Sequence, residues 1–157
     1  MKTLIFSFFL ALAISANAQK VDYGMIVNYE LIKSVVSKTD IEAHATVRAA
    51  GYTPMSQGEF QYIKDNKIYS RAYFIKGNPD GEPNLKNTYW AFQARGKDVY
   101  KGVFKEIKKG AIVKEGTRMG KAKTEYKAKD GLYYYPFEDI SIKGLYWIYA
   151  SKGSLLD

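Results

Sequence analysis

The chain of 157 residues contains no cysteine and a single histidine, His44. The missing thiols exclude thiol catalysis, cysteine-ligated zinc and a disulfide scaffold together. One histidine leaves little material for a zinc or copper site or for a histidine-based triad. No G-x-S-x-G, H-E-x-x-H or glycine-rich phosphate loop occurs anywhere. Beyond residue 18 no apolar run approaches the ~20 residues needed to span a bilayer. Acids are also short, 16 Asp and Glu against 24 Lys and Arg, for a net charge of +8.

What is present begins with a leader. Met1-Lys2 gives a positive start, Leu4 to Ile14 is nearly all apolar, and Ala16-Asn17-Ala18 puts small residues where a signal peptidase reads them. The pattern predicts an export signal over residues 1–18, cut between Ala18 and Gln19. One domain over 19–157 then follows, periplasmic or extracellular. No cysteine stands after the cut to carry a lipid.

The whole charge imbalance lies between Arg95 and Lys129, where 12 Lys and Arg meet four acids. Such a field attracts anionic partners. Outside the cytoplasm these would be acidic glycan, lipid headgroups or another envelope component, and no nucleic acid is expected. The candidate contacts are Lys101, Lys105, Lys121, Lys123 and Lys127. The plainer reading is a solvated lysine face that discourages edge pairing between sheets.

Tyr62–Ile75 is the clearest structural signal. Apolar runs flank Asp65-Asn66, a pair that tolerates positive φ and suits a tight hairpin turn. Alternation then predicts strands over Val21–Leu31, Ile41–Ala49, Asn87–Arg95, Val99–Ile107, Ala111–Glu115, Thr117–Lys127, Leu132–Phe137, Ile140–Ile142 and Leu145–Ala150. Gly51–Gly58 and Gly77–Asn84 read as loops, Ala128–Gly131 as a turn and Gly153–Asp157 as a frayed end. The expected fold is all-β, an antiparallel meander forming a single barrel or sandwich, with one short helix allowed near residues 31–38. Lys121, Lys123, Glu125 and Lys127 share a parity and are expected to face water, because unpaired buried charge is costly. A membrane barrel is set aside: Val99, Lys101, Val103 and Lys105 share one strand face, which lipid would not tolerate.

The chemistry on offer is thin. His44 sits on the parity of Glu42 and Arg48 and reads as a surface histidine on a strand. Glu138 and Asp139, adjacent in a strand, would point to opposite faces and could not flank one glycosidic bond. Asp80 and Glu82 in the long loop supply only two carboxylates, too few for a calcium site. No cofactor or metal is expected. The aromatic surplus, 14 Tyr, eight Phe and two Trp, says more. Trp90, Phe92, Tyr133, Tyr134, Tyr135 and Trp147 are the candidate ligand contacts, since Tyr and Trp pair a broad apolar face with a polar tip. Three successive tyrosines cannot share one strand face, so at least one lies outside the core. The reading is an exported, non-catalytic binding protein whose partner is a small hydrophobic ligand, a glycan or an envelope component. A calycin-like version would hold its ligand in a cavity lined by Trp90, Phe92 and Tyr134. The rival readings are an envelope-interaction protein with a basic face and a small secreted hydrolase.

Overall fold

The computed structural model describes residues 26–156 except 57, 79–85 and 119. The export signal and residues 21–25 of the strand expected at Val21–Leu31 lie outside the described residues, as do Asp80 and Glu82. Among the described residues three helices, α1 (Tyr29–Val36), α2 (Asp40–Ala49) and α3 (Lys97–Lys108), accompany eight strands. The strands are β1 (Tyr52–Pro54), β2 (Glu59–Lys64), β3 (Lys67–Ile75), β4 (Tyr89–Arg95), β5 (Ile112–Arg118), β6 (Lys121–Lys127), β7 (Tyr133–Glu138) and β8 (Leu145–Ser151). They form one antiparallel sheet in the order β1-β2-β3-β4-β8-β7-β6-β5. Two four-strand meanders thus join where β4 pairs β8. The antiparallel meander is present as expected. The sheet is open, with β1 and β5 as its edges, so barrel closure is not found.

Asp65 and Asn66 take φ of 49° and 57°, and Lys64 pairs Lys67 across them. This is the tight turn that the two residues encode.

The helices overturn three strand assignments. Tyr29 begins α1 behind Asn28, whose side chain accepts from Leu31 N at 2.9 Å; Ile32, Val35 and Val36 are its buried stripe. Ile41–Ala49 is helical because Thr39 and Glu42 form a reciprocal capping box and Ala43 and Val47 face the core. Val99–Ile107 lies within α3. As a strand it could bury Val99 and Val103 only together with Lys101 and Lys105. As a helix it buries Val103 and Ile107 and leaves the lysines in water. The parity argument against a lipid-facing band at Val99–Lys105 therefore lapses.

Smaller corrections follow the same logic. The Gly51–Gly58 loop contains β1. Thr117–Lys127 is broken between Arg118 and Lys121 by a turn at Gly120, φ 71°. Ile140–Ile142 is a bend, not a strand. The end near Leu155 and Leu156 is buried, 0% and 6% exposed, rather than frayed.

The helices cover one face of the sheet. Phe60, Ala72, Phe92, Ile148 and Pro136 stand in register across β2, β3, β4, β8 and β7. Phe60, Ala72, Phe92 and Ile148 are buried in the core cluster with Ile32, Val35, Val47, Val103 and Ile107. Tyr100 of α3 stacks on Tyr146 at 4.3 Å, and Phe104 meets Tyr126 edge-on at 5.1 Å.

Gly102 lies inside α3, and a Cβ there would meet nothing within 4 Å. Gly102→Ala should therefore stabilise the protein by about 0.5–1 kcal/mol, through lower backbone entropy in the unfolded chain. A thermal melt unchanged or lowered by this substitution would contradict the helical assignment of residues 97–108.

Candidate functional site: the helix-free aromatic face

The six aromatic candidates divide by strand parity. Trp90, Phe92 and Tyr134 lie under the helices, at 3%, 0% and 0% exposure. Trp90 packs with Phe60, Phe74 and Phe92 at 5.3–6.0 Å between ring centres. Tyr134 packs on Tyr29 at 5.8 Å. Their hydroxyls both donate to Asp130 Oδ2 at 2.7 Å. The space a barrel ligand would need is filled by these rings. A groove of about 390 Å³ exists elsewhere, between α1 and α3, and neither Trp90, Phe92 nor Tyr134 lines it.

Tyr133 and Trp147 are half-buried on the opposite face, where no helix packs; Tyr135 shares that face but is only 5% exposed. Register places them beside Tyr73, Tyr89, Phe137 and Tyr149. Tyr149 touches Tyr89, Tyr135 and Phe137 at 5.2, 6.0 and 5.0 Å, and Tyr73 meets Trp147 at 5.9 Å. Ala91 is registered between Tyr73 and Tyr149, so a small side chain floors a trough walled by rings. Gln93, opposite Trp147, is 4% exposed, and its Oε1 has no partner among the described residues. An unspent acceptor therefore lies beneath the platform.

Basic groups border the rings on the β5–β6 side. Lys123 lies 5.6 Å from the Tyr135 ring and Lys127 5.4 Å from that of Tyr133; Lys121 shares their parity. Arg118, 7% exposed, holds its guanidinium 4.9, 5.3 and 5.8 Å from the rings of Tyr89, Tyr149 and Tyr135. Cation–π attraction and the long side chain hold it there. Sequence parity groups Arg118 with Ala122 and Tyr126, away from the lysines, because the turn at Gly120 is invisible to alternation; the structure pairs it with Lys121. Lys101 and Lys105 belong to α3, in the helical layer behind the sheet. The five candidate lysines therefore do not converge: three border the aromatic face and two lie on the far layer.

Glu125 departs from its expected place in water. It is 0% exposed and accepts from Ser154 Oγ at 2.7 Å and Leu155 N at 2.6 Å. The tail supplies the hydrogen bonds that make this burial tolerable.

The remaining candidate groups have structural partners. Asp139 Oδ1 accepts from Ser141 N at 2.8 Å and Ile142 N at 3.1 Å, and its Oδ2 accepts from Trp147 Nε1 at 3.0 Å. The Ser141 bond first, then that from Trp147, holds the carboxyl below the usual carboxylate range. Glu138 is registered with Tyr146, on the helix-covered parity, so the acidic pair diverges. His44 is on α2, not a strand, with its ring edge-on to Phe60, Phe74 and Trp90 at 4.8–5.5 Å. Among the described residues no three His, Cys, Asp or Glu side chains cluster closely enough to hold a metal ion. None of the described helices is long and apolar enough to cross a membrane.

No protein-family model, no curated protein and no solved structure matches this chain.

Proposed function

We propose that this is an exported, non-catalytic binding protein that uses the helix-free face of its sheet to stack on an acidic glycan. The observation that carries the reading is the joined platform of Tyr73, Tyr89, Phe137, Trp147 and Tyr149, half-buried with no helix over it. Sugar rings present apolar C–H faces that suit such rings, and the aromatic side chains keep polar tips for hydroxyls. Lys121, Lys123 and Lys127 beside the platform favour a carboxylated or sulfated chain over a neutral one. The unpaired Gln93 Oε1 offers an acceptor to a hydroxyl donor once the rings part.

Trp147 is on this face and Trp90 is in the core, so ligand-induced change in fluorescence reports mainly on Trp147. Titration with a polyuronate should alter the emission, with a neutral glucan binding more weakly. Trp147→Ala should weaken polyuronate binding in calorimetry by about thirty-fold, as for a central aromatic anchor. Equal affinity of Trp147→Ala and the parent, or no binding of any acidic polysaccharide, would overturn the glycan reading.

A further inference from the structure

The bend between β7 and β8 carries Ile140, the most exposed large apolar side chain among the described residues, and a second exposed isoleucine, Ile142. Ile140 is 98% and Ile142 56% exposed. The bend is nevertheless tightly built. Asp139 bonds both following amides and the Trp147 indole. Asp139 N donates to Leu145 O at 2.8 Å, Leu145 N to Ile142 O at 3.1 Å, and Gly96 N to Gly144 O at 3.0 Å. Two isoleucines are thus held in water by a pre-ordered loop, at the expense of apolar hydration.

The strand registers place four connections at this same end of the sheet. They are the turns at 65–66, at 95–97 and at Gly120 and the bend itself, because β3, β4, β8, β7 and β6 are antiparallel neighbours. Exposed Lys64, Lys67, Arg95, Lys97, Lys121 and Lys143 gather there, against exposed Asp65, Asp98 and Glu138. An apolar tip inside a basic ring matches the layered chemistry of an anionic bilayer, apolar at depth and negative at the surface. Two side chains are too little area for a stable protein interface, which needs about 800 Å² per partner.

We propose that this end of the protein docks on an anionic lipid surface, with Ile140 and Ile142 entering the boundary between headgroups and acyl chains. The apolar contacts, Ile140 and Ile142, lie outside the aromatic platform; of the basic residues only Lys121 is common to this end and to the glycan reading.

The test is co-sedimentation with vesicles of phosphatidylcholine and with vesicles of an equimolar phosphatidylcholine–phosphatidylglycerol mixture. The parent protein should bind the mixed vesicles, bind neutral ones far less, and release as salt rises. I140S/I142S should lower partitioning about thirty-fold or more, from the lost burial of two isoleucines. Its circular dichroism should match the parent, because neither side chain is in the core. Ile140→Trp gives a direct readout. Its added emission should shift blue on mixed vesicles and be quenched by bromine carried on the acyl chains. Absence of binding to mixed vesicles, equal binding of I140S/I142S, or unshifted emission from Ile140→Trp in the vesicle-bound protein would each overturn the proposal. Equal binding to neutral vesicles would overturn the part assigned to the basic ring.

Discussion

Leu155→Ala is expected to lower the free energy of unfolding by about 2–5 kcal/mol, the range for truncating a fully buried leucine that leaves a cavity. Leu155 is 0% exposed and Leu156 6%. The backbone amide of Leu155 donates to the buried Glu125, and Asn87 Nδ2 donates to Ser154 O at 2.7 Å. A Cβ added to Gly116 would stand 3.0 Å from Leu156 Cδ1, so the β5 backbone and the tail already touch. Glu125→Ala should cost a further about 1–3 kcal/mol, by stranding the Leu155 and Ser154 donors. Combined, the two substitutions should cost less than the sum of their separate effects, because both release the same segment. Urea denaturation of the four proteins measures this. A Leu155→Ala variant within about 0.5 kcal/mol of the parent, the range of an inert surface change, would show that the tail is not docked in solution.

The tail illustrates why part of this fold is hidden in the sequence. A terminal Leu-Leu pair after Gly153 carries no periodicity, and its burial depends on Gly116 and Glu125, both distant in the chain. The hairpin at Asp65-Asn66 lies at the other extreme: the turn chemistry is local, so two residues suffice to specify it. The helices fail for an intermediate reason. Val99, Val103 and Ile107 are spaced by four, which satisfies an i,i+4 helical row and a period of two equally. Lysines at 101 and 105 break that tie, because only the helix separates them from the valines. In α2, Thr39 and Glu42 form a capping box that is legible three residues apart, and it outweighs the alternation of Ile41 to Ala49. The aromatic face is half legible. Parity separates Tyr133 and Tyr135 from Tyr134, yet which parity is covered depends on where the helices dock. Arg118 is legible only once the turn at Gly120 is known.

Raising the pH above 10 should unfold the protein steeply, through tyrosines that the fold keeps protonated. Burial raises Tyr134 and Tyr52 far above the usual phenol range; for Tyr134 the hydrogen bond to Asp130 adds to it, while for Tyr52 the bond shared with Ser70 partly offsets it. Tyr29 is pushed up to about 12, first by burial and then by its bond to Asp130. The raised folded pKa fixes the sign. Above 10 the unfolded chain releases protons that the native state retains, so ν_U is smaller than ν_N and stability falls with rising pH. Each deeply buried tyrosine removes about 1.4 kcal/mol per pH unit until its own folded pKa is reached. Tyr29, being partly wet, contributes a screened fraction of that. Below pH 10 the same groups leave stability flat. Tyr134→Phe separates this from general alkaline damage. At pH 7 the variant should be less stable than the parent by about 1.5–3 kcal/mol, for a lost bond to a charged acceptor. Between pH 10 and 12 the gap should close, because phenylalanine cannot ionise in the unfolded chain. Chemical denaturation at pH 7 and pH 11 gives both numbers; a gap that stays constant between them would mean that Tyr134 ionises as readily in the fold as outside it.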